Sequence, residues 1–248
     1  CAIRIKDYCS SCNKTLKKYL MHAISIDNIT LNLYKRESDI FGFKKMLLTG
    51  KILPEEKILF HDLTLQIEES TILGIEGPNG IGKTTLLAAI AGLIPIKSGS
   101  INVKGKVLPL LGLGHIFHPD LNIHRNIELW NISFSSGFKI EGSFVKNIIE
   151  SCGIDVMPTT LLRSLSSGMK SRLAFELAMR GKEDILLLDE VFSVGDSEFR
   201  EKSILKMREK LKSLACAVIV SHDRETLREH CNRIIRIKSP HEIEEVIL

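Results

Sequence analysis

From Ile24 the chain alternates apolar and polar side chains: Ile24, Ile26, a polar Asp27–Asn28 step, then Ile29, Leu31 and Leu33. A period of two marks a strand with one buried face. The step in the middle leaves two readings, a pair of strands or one bulged strand. A further antiparallel strand is expected over Leu63–Ile67. The runs Thr71–Ile75, Ile185–Leu188 and Ala217–Val220 are apolar without alternation, as strands buried on both faces of a parallel sheet are. Helical spacing governs Leu86, Leu87, Ile90 and Leu93, then Lys170–Arg180 and a long Glu198–Ser213 segment. A short amphipathic tail, Glu242–Leu248, follows. The pattern predicts an α/β domain: a β-rich mixed-sheet part at 22–110, a helical insertion at about 118–182, and a parallel core resuming at 184–238. Residues 1–20 fit none of these periods and are expected to lie outside a domain spanning 21–248. An insertion of about twenty residues, Lys35–Glu56, interrupts the first strands.

The Thr71–Ile75 strand runs almost directly into Gly77-Pro78-Asn79-Gly80-Ile81-Gly82-Lys83-Thr84-Thr85. This contains GxxxxGK[ST], the Walker A pattern, with a strand before it and a helix after it. Glycines at 77, 80 and 82 let backbone N–H groups approach phosphate oxygens, and the helix adds its positive end. Lys83 is expected at the β- and γ-phosphates, and the Thr84 hydroxyl on Mg²⁺. The Ile185–Leu188 strand ends in Asp189 and Glu190, which lie 106 and 107 positions after Lys83. Asp189 is placed to hold Mg²⁺ through water and Glu190 to polarise the attacking water. The Ala217–Val220 strand ends in Ser221-His222-Asp223. A histidine at the C-terminal end of a strand in an open α/β sheet lies on the ligand side, within reach of a γ-phosphate. The cofactors expected are therefore ATP and Mg²⁺.

Composition narrows the class. At 248 residues with 44% hydrophobic and 26% charged side chains, this is ordinary globular material rather than a disordered chain or a small disulfide scaffold. The longest uncharged apolar run, Thr84–Ile96, is short of the ~20 residues of a membrane span. A membrane role would therefore act through a partner. Net charge is +4. Arg4, Lys6, Lys14, Lys17 and Lys18 against Asp7 account for all of it, leaving 29 basic and 29 acidic residues in the remainder. A neutral body speaks against a nucleic-acid partner. Cys9-Ser-Ser-Cys12 is a lone CxxC, a weak metal or redox signal. Cys152, Cys216 and Cys231 sit in apolar or amphipathic contexts, as reduced core thiols do.

Leu165-Ser166-Ser167-Gly168-Met169 precedes the Lys170–Arg180 helix. A Ser N-cap and a Ser-Gly turn make a second anion site, one that makes sense if it closes on a nucleotide held by another copy of the chain. These residues resemble the signature of the ATP-binding subunits of ABC transporters, with Ser167 where Gly is usual and Met169 where Gln is common. Ser-Ser-Gly-Met, then Arg172-Leu-Ala-Phe175, is similar to one subgroup. So are Asp189-Glu-Val-Phe-Ser-Val-Gly-Asp196-Ser-Glu-Phe199 and Gly114-His-Ile-Phe-His-Pro-Asp-Leu121, followed by Asn126. That subgroup exports surface polysaccharides: O-antigen, capsule or teichoic acid.

The resemblance implies a P-loop NTPase of the ABC type: a mixed sheet core, an antiparallel β subdomain and a helical subdomain. It implies ATP hydrolysis at the cytoplasmic face of the inner membrane, coupled to a membrane-spanning permease that moves a lipid-linked glycan. Two chains would sandwich two ATP molecules, with Ser166, Ser167 and Gly168 of one capping the nucleotide of the other. Asp196 falls in the equivalent of the D-loop. Tyr34 is the aromatic expected to stack on adenine. The sequence departs from the family in lacking a Gln where the γ-phosphate-sensing loop sits; Leu111–Leu121 occupies that stretch. His115, His118 and His124 within and beside it read as metal ligands less well than as a loop meeting a membrane partner. A transporter for lipid, drug or peptide is the alternative. Repair-type members need room for a coiled coil between the Walker motifs, and translation-type members usually hold two ATP domains per chain.

Overall fold

The alternation that starts at Ile24 folds as one bulged strand. In the computed structural model, which describes residues 22–35, 55–112, 117–134, 140–190 and 197–246, β1 spans His22–Lys35. Its register against the neighbouring strands shifts at the Asp27–Asn28 step, where Asn28 takes φ 48°. One extra residue there bends the strand and restores the buried phase, so Ile24, Ile26, Ile29 and Leu31 all face the core. β1 lies between β2 (Glu55–Glu68) and β4 (Ser98–Val103) in an antiparallel sheet.

The second sheet has the order β5-β6-β7-β3-β8-β9, built from β5 (Val107–Leu111), β6 (Ile185–Asp189), β7 (Cys216–Val220), β3 (Thr71–Glu76), β8 (Arg233–Ser239) and β9 (Glu242–Val246). Its first five strands run parallel and β9 returns antiparallel. Residues 22–110 are thus divided between an antiparallel sheet and a mixed sheet core, as the resemblance implies, and the mixed sheet holds the nucleotide-loop strand. Alternate residues of β6 and β7 feed two separate cores. Leu186, Leu188, Ala217 and Ile219 pack towards one. Ile185, Leu187, Cys216, Val218 and Val220 pack towards the other, with β1, β2 and the helix after the glycine loop. Burial on both faces explains why these strands read as unbroken apolar runs.

The helices are α1 (Lys83–Ile90), α2 (Ile123–Phe134), α3 (Gly142–Ser151), α4 (Ser167–Met179), α5 (Ser197–Ser213) and α6 (Arg224–His230). α1 is shorter than its sequence spacing implies. Gly92 takes φ 71° just past the C-cap Ala91, the usual left-handed stop, and leaves Leu93 outside the helix and exposed. Trp130 on α2 is buried beside Phe134 and Phe117, at ring-centroid distances of 4.7 and 6.3 Å. α4 and α5 are joined by an edge contact of Phe175 with Phe199 and by the buried Glu176, paired with Lys206 and Arg180. The amphipathic tail forms β9. Among the described residues no helix is long and apolar enough to cross a membrane.

Cys152, Cys216 and Cys231 are free and buried, and burial pushes each thiol up to about 12. At neutral pH such thiols hold almost no thiolate, the reactive form. An alkylating reagent is expected to leave all three unmodified in the folded chain and to label them in denaturant. Peptide mapping by mass spectrometry checks this.

Candidate nucleotide site

The sheet order brings distant residues to one edge. β6, β7 and β3 are consecutive neighbours, and Val220 pairs with both Asp189 and Ile75. The C-terminal ends of the three strands therefore stand level, carrying Asp189–Glu190, Ser221–His222 and Glu76–Gly77. This is where open α/β sheets hold ligands.

The loop from Gly77 to Gly82 leaves β3 under tight steric limits. A Cβ at Gly77 would come within 2.7 Å of the Ile237 carbonyl oxygen. Gly82 takes φ 107° and caps α1 against Leu59 and Phe60. Lys83 is 8% exposed, and its ammonium donates to the carbonyls of Gly77 at 2.8 Å and Pro78 at 3.0 Å. A buried cation is thereby fixed under the loop.

A cavity of about 420 Å³ opens beside the loop. Asn79, Gly80, Gly82, Lys83, Thr84 and Thr85 line one side, Asp189 and Glu190 another, and Leu33, Lys57 and Leu59 a third. Inside it the Thr84 hydroxyl donates to Asp189 Oδ2 at 2.6 Å. Glu190 sits at φ 56°, a left-handed conformation that costs a non-glycine residue about 1–2 kcal/mol. Its N–H donates to the Val220 carbonyl at 3.0 Å, and Oε2 lies 2.5 Å from His222 Nδ1. A strained residue held by a neighbouring strand and bonded to an exposed imidazole thus stands at the cavity wall.

Residues 60–193 match the family profile described as ABC transporter. The chain belongs to that family. It is 33% identical over 177 residues to the O-antigen export system ATP-binding protein RfbE of Yersinia enterocolitica, a match covering 71% of this chain and 74% of that one. It is 31% identical over 210 residues to the O-antigen export system ATP-binding protein RfbB of Klebsiella pneumoniae, covering 83% and 85%. The teichoic acids export ATP-binding protein TagH of Listeria innocua is 28% identical over 205 residues, covering 81% of this chain and 61% of the relative. The fold matches the dimeric, post-hydrolysis ATP-binding cassette MJ0796 bound to ADP and Pi, at TM-score 0.69 and 19% identity, over 91% of this chain and 99% of the other. The chain is an ABC transporter ATPase domain that binds ATP.

Within this ABC ATPase the cavity gathers Asn79, Gly80, Gly82, Lys83, Thr84 and Thr85 with Asp189 and Glu190, and His222 joins through Glu190, while Gly77, Pro78 and Ile81 are not among its walls. Ser166, Ser167 and Gly168 are not among its lining residues. They open α4, where the Ser166 hydroxyl accepts from the Met169 N–H at 3.2 Å as a helix cap. Tyr34 lies in β1 in register with Glu56. Asp196, residues 1–20, most of the Lys35–Glu56 insertion and His115 lie outside the described residues. His118 Nδ1 accepts from the Asp120 N–H at 3.3 Å and His124 pairs with Glu128 at 3.4 Å. Among the described residues no group of three His, Cys, Asp or Glu gathers as a metal set. Nearby, the buried Asn126 pins the 118–122 turn: its Oδ1 accepts from the His118 N–H, and its Nδ2 donates to the carbonyls of His118, Leu121 and Asn122.

Sequence reasoning missed Leu33, Lys57 and Leu59 as cavity walls, and it passed over Glu76. Leu33 follows the core alternation yet is 44% exposed, because the antiparallel β1–β2 pair runs on past the core to flank the cavity. Glu76 left a signal, an acid closing an apolar strand one residue before the glycine loop.

Proposed function

We propose that this chain is the energy subunit of an exporter that moves a lipid-linked surface polysaccharide across the cytoplasmic membrane. The hydrolytic half of this reading is carried by one observation: Thr84, Asp189, Glu190 and His222 converge beside the glycine loop. Phosphoryl transfer needs positioning and charge stabilisation more than covalent chemistry. Backbone N–H groups of the loop and the N-terminus of α1 cradle the phosphates, with Lys83 between the β and γ positions. Thr84 and Asp189 offer two oxygens 2.6 Å apart, a hard-donor set that fits Mg²⁺ completed by phosphate and water. When bound, that ion would neutralise charge developing on the phosphates. Glu190 accepts the proton of the attacking water, and His222 holds the Glu190 carboxylate and faces the γ-phosphate.

Ser166, Ser167 and Gly168 fit a two-chain assembly, in which the start of α4 in one copy caps the nucleotide of the other. Asp196 and Tyr34 belong to this scheme as the D-loop and adenine contacts. The structurally similar MJ0796 cassette is a dimer by its own description. Closure of the pair would move the helical region, about residues 118–182, against a permease at the inner face of the membrane. Residues 1–20 play no part in this domain.

The export half is supported by relatives named for O-antigen and teichoic acid export. The test is to deplete the chain in cells and quantify lipid-linked glycan inside against glycan at the surface. Internal accumulation with loss at the surface is the expected result, and the accumulated lipid identifies the substrate chemically. No change in either pool refutes polysaccharide export and leaves the ATPase with another substrate.

A further inference from the structure

A second cavity, about 440 Å³, shares Gly77 and Pro78 with the glycine loop but is otherwise lined mainly by Glu76, His222, Arg224, Arg236 and Lys238. Glu76 ends β3 and is 7% exposed. Both of its carboxylate oxygens are engaged. Oε1 pairs with Arg236 Nε on β8, and Oε2 lies 3.1 Å from Arg224 Nε. Arg236 is held from its other side by Glu244 on β9 at 3.0 Å. Arg224 is the first residue of α6 and stands two positions after His222.

The short loop that carries His222 therefore has two anchors. Asp223 caps α6, accepting from the N–H groups of Glu225 and Thr226 and from the Thr226 hydroxyl. Arg224 ties the same turn to Glu76, one residue from the start of the glycine loop. The His222 side chain itself is 71% exposed, so packing does not fix it. A carboxylate removed from water is destabilising unless paired, and an apolar residue would close the β3 strand without needing partners. The acid is explained by what it holds.

We propose that Glu76 and Arg224 are positioning residues for ATP hydrolysis: their ion pair fixes the His222 loop against the base of the glycine loop and keeps the imidazole on Glu190. The inference rests on the reading of Glu190 and His222 given above. It also connects that pair to the nucleotide. Lys83 bonds the carbonyls of Gly77 and Pro78, so the peptide segment that adjusts when phosphate draws the ammonium away is the one that carries Glu76.

The experiment measures kcat and KM for ATP in the full chain and in Arg224→Gln, Arg224→Lys and His222→Ala. Arg224 is 68% exposed at its side chain, so its replacement spares the core. Arg224→Gln is expected to lower kcat about ten-fold, with KM changed less than about two-fold, since a shifted catalytic group slows chemistry without weakening binding. Arg224→Lys is expected to recover most of the loss, because an ammonium still pairs with Glu76. A parental kcat in Arg224→Gln, a loss confined to KM, or a lysine variant no better than the glutamine variant overturns the inference. A parental rate in His222→Ala removes the underlying reading instead. An inactive His222→Ala beside a fully active Arg224→Gln sinks the positioning role alone.

Discussion

Glu190→Gln is expected to lower ATP turnover by about 10²- to 10⁴-fold, the range a positioned general base supplies, while ATP stays bound. The substitution keeps the length and shape of the side chain. An amide oxygen can still meet His222 Nδ1 across the 2.5 Å contact, and the N–H bond to the Val220 carbonyl is a backbone bond that the change does not touch. What disappears is the capacity to take a proton. With chemistry blocked and binding intact, two chains joined across two nucleotides should accumulate. Light scattering of the variant with ATP measures the mass, and a single-turnover assay measures the chemistry. A variant that stays monomeric with saturating ATP refutes the two-chain sandwich. One that hydrolyses at the parental rate removes Glu190 from the mechanism.

Lys83→Ala is expected to weaken ATP binding by at least about 30-fold. Removing one member of a buried, hydrogen-bonded charge pair costs about 2–5 kcal/mol, and Lys83 is the buried cation under the loop. Stability should change far less. The carbonyls of Gly77 and Pro78 lose their donor, but both residues also line the open second cavity, where water can replace it. Titration calorimetry with ATP alongside thermal unfolding separates the two effects. Parental affinity in the alanine variant would overturn the assignment of residues 77–85 as the phosphate cradle.

Much of the fold was legible because it is local. The glycine loop announces itself through spacing, and the strand before it and the helix after it fall within the same short window. The bulge in β1 showed as a break in phase at Asp27–Asn28, though choosing one strand over two required the neighbours β2 and β4 that hold it. Other features depend on the order of strands, which no local pattern contains. Asp189, Glu190 and His222 each stood out as polar residues ending apolar runs. Their meeting depends on β6, β7 and β3 lying side by side. Leu93 carried the helical period past the true end of α1 because Gly92, the residue that stops the helix, was read as part of the apolar stretch. Glu76 stayed hidden for the opposite reason: its partners Arg224 and Arg236 lie about 150 and 160 positions away on elements joined to it only in space.

Trp130 is the single tryptophan of the chain. It is buried on α2, in ring contact with Phe134 and Phe117 and absent from the walls of the nucleotide cavity. Intrinsic emission excited at the indole band therefore comes from one place, the helical layer, with no signal from the cavity beside the glycine loop. A shift in that emission on adding nucleotide would report that α2 has moved relative to the Phe117 turn, and its time course would give the rate of that movement, without a label.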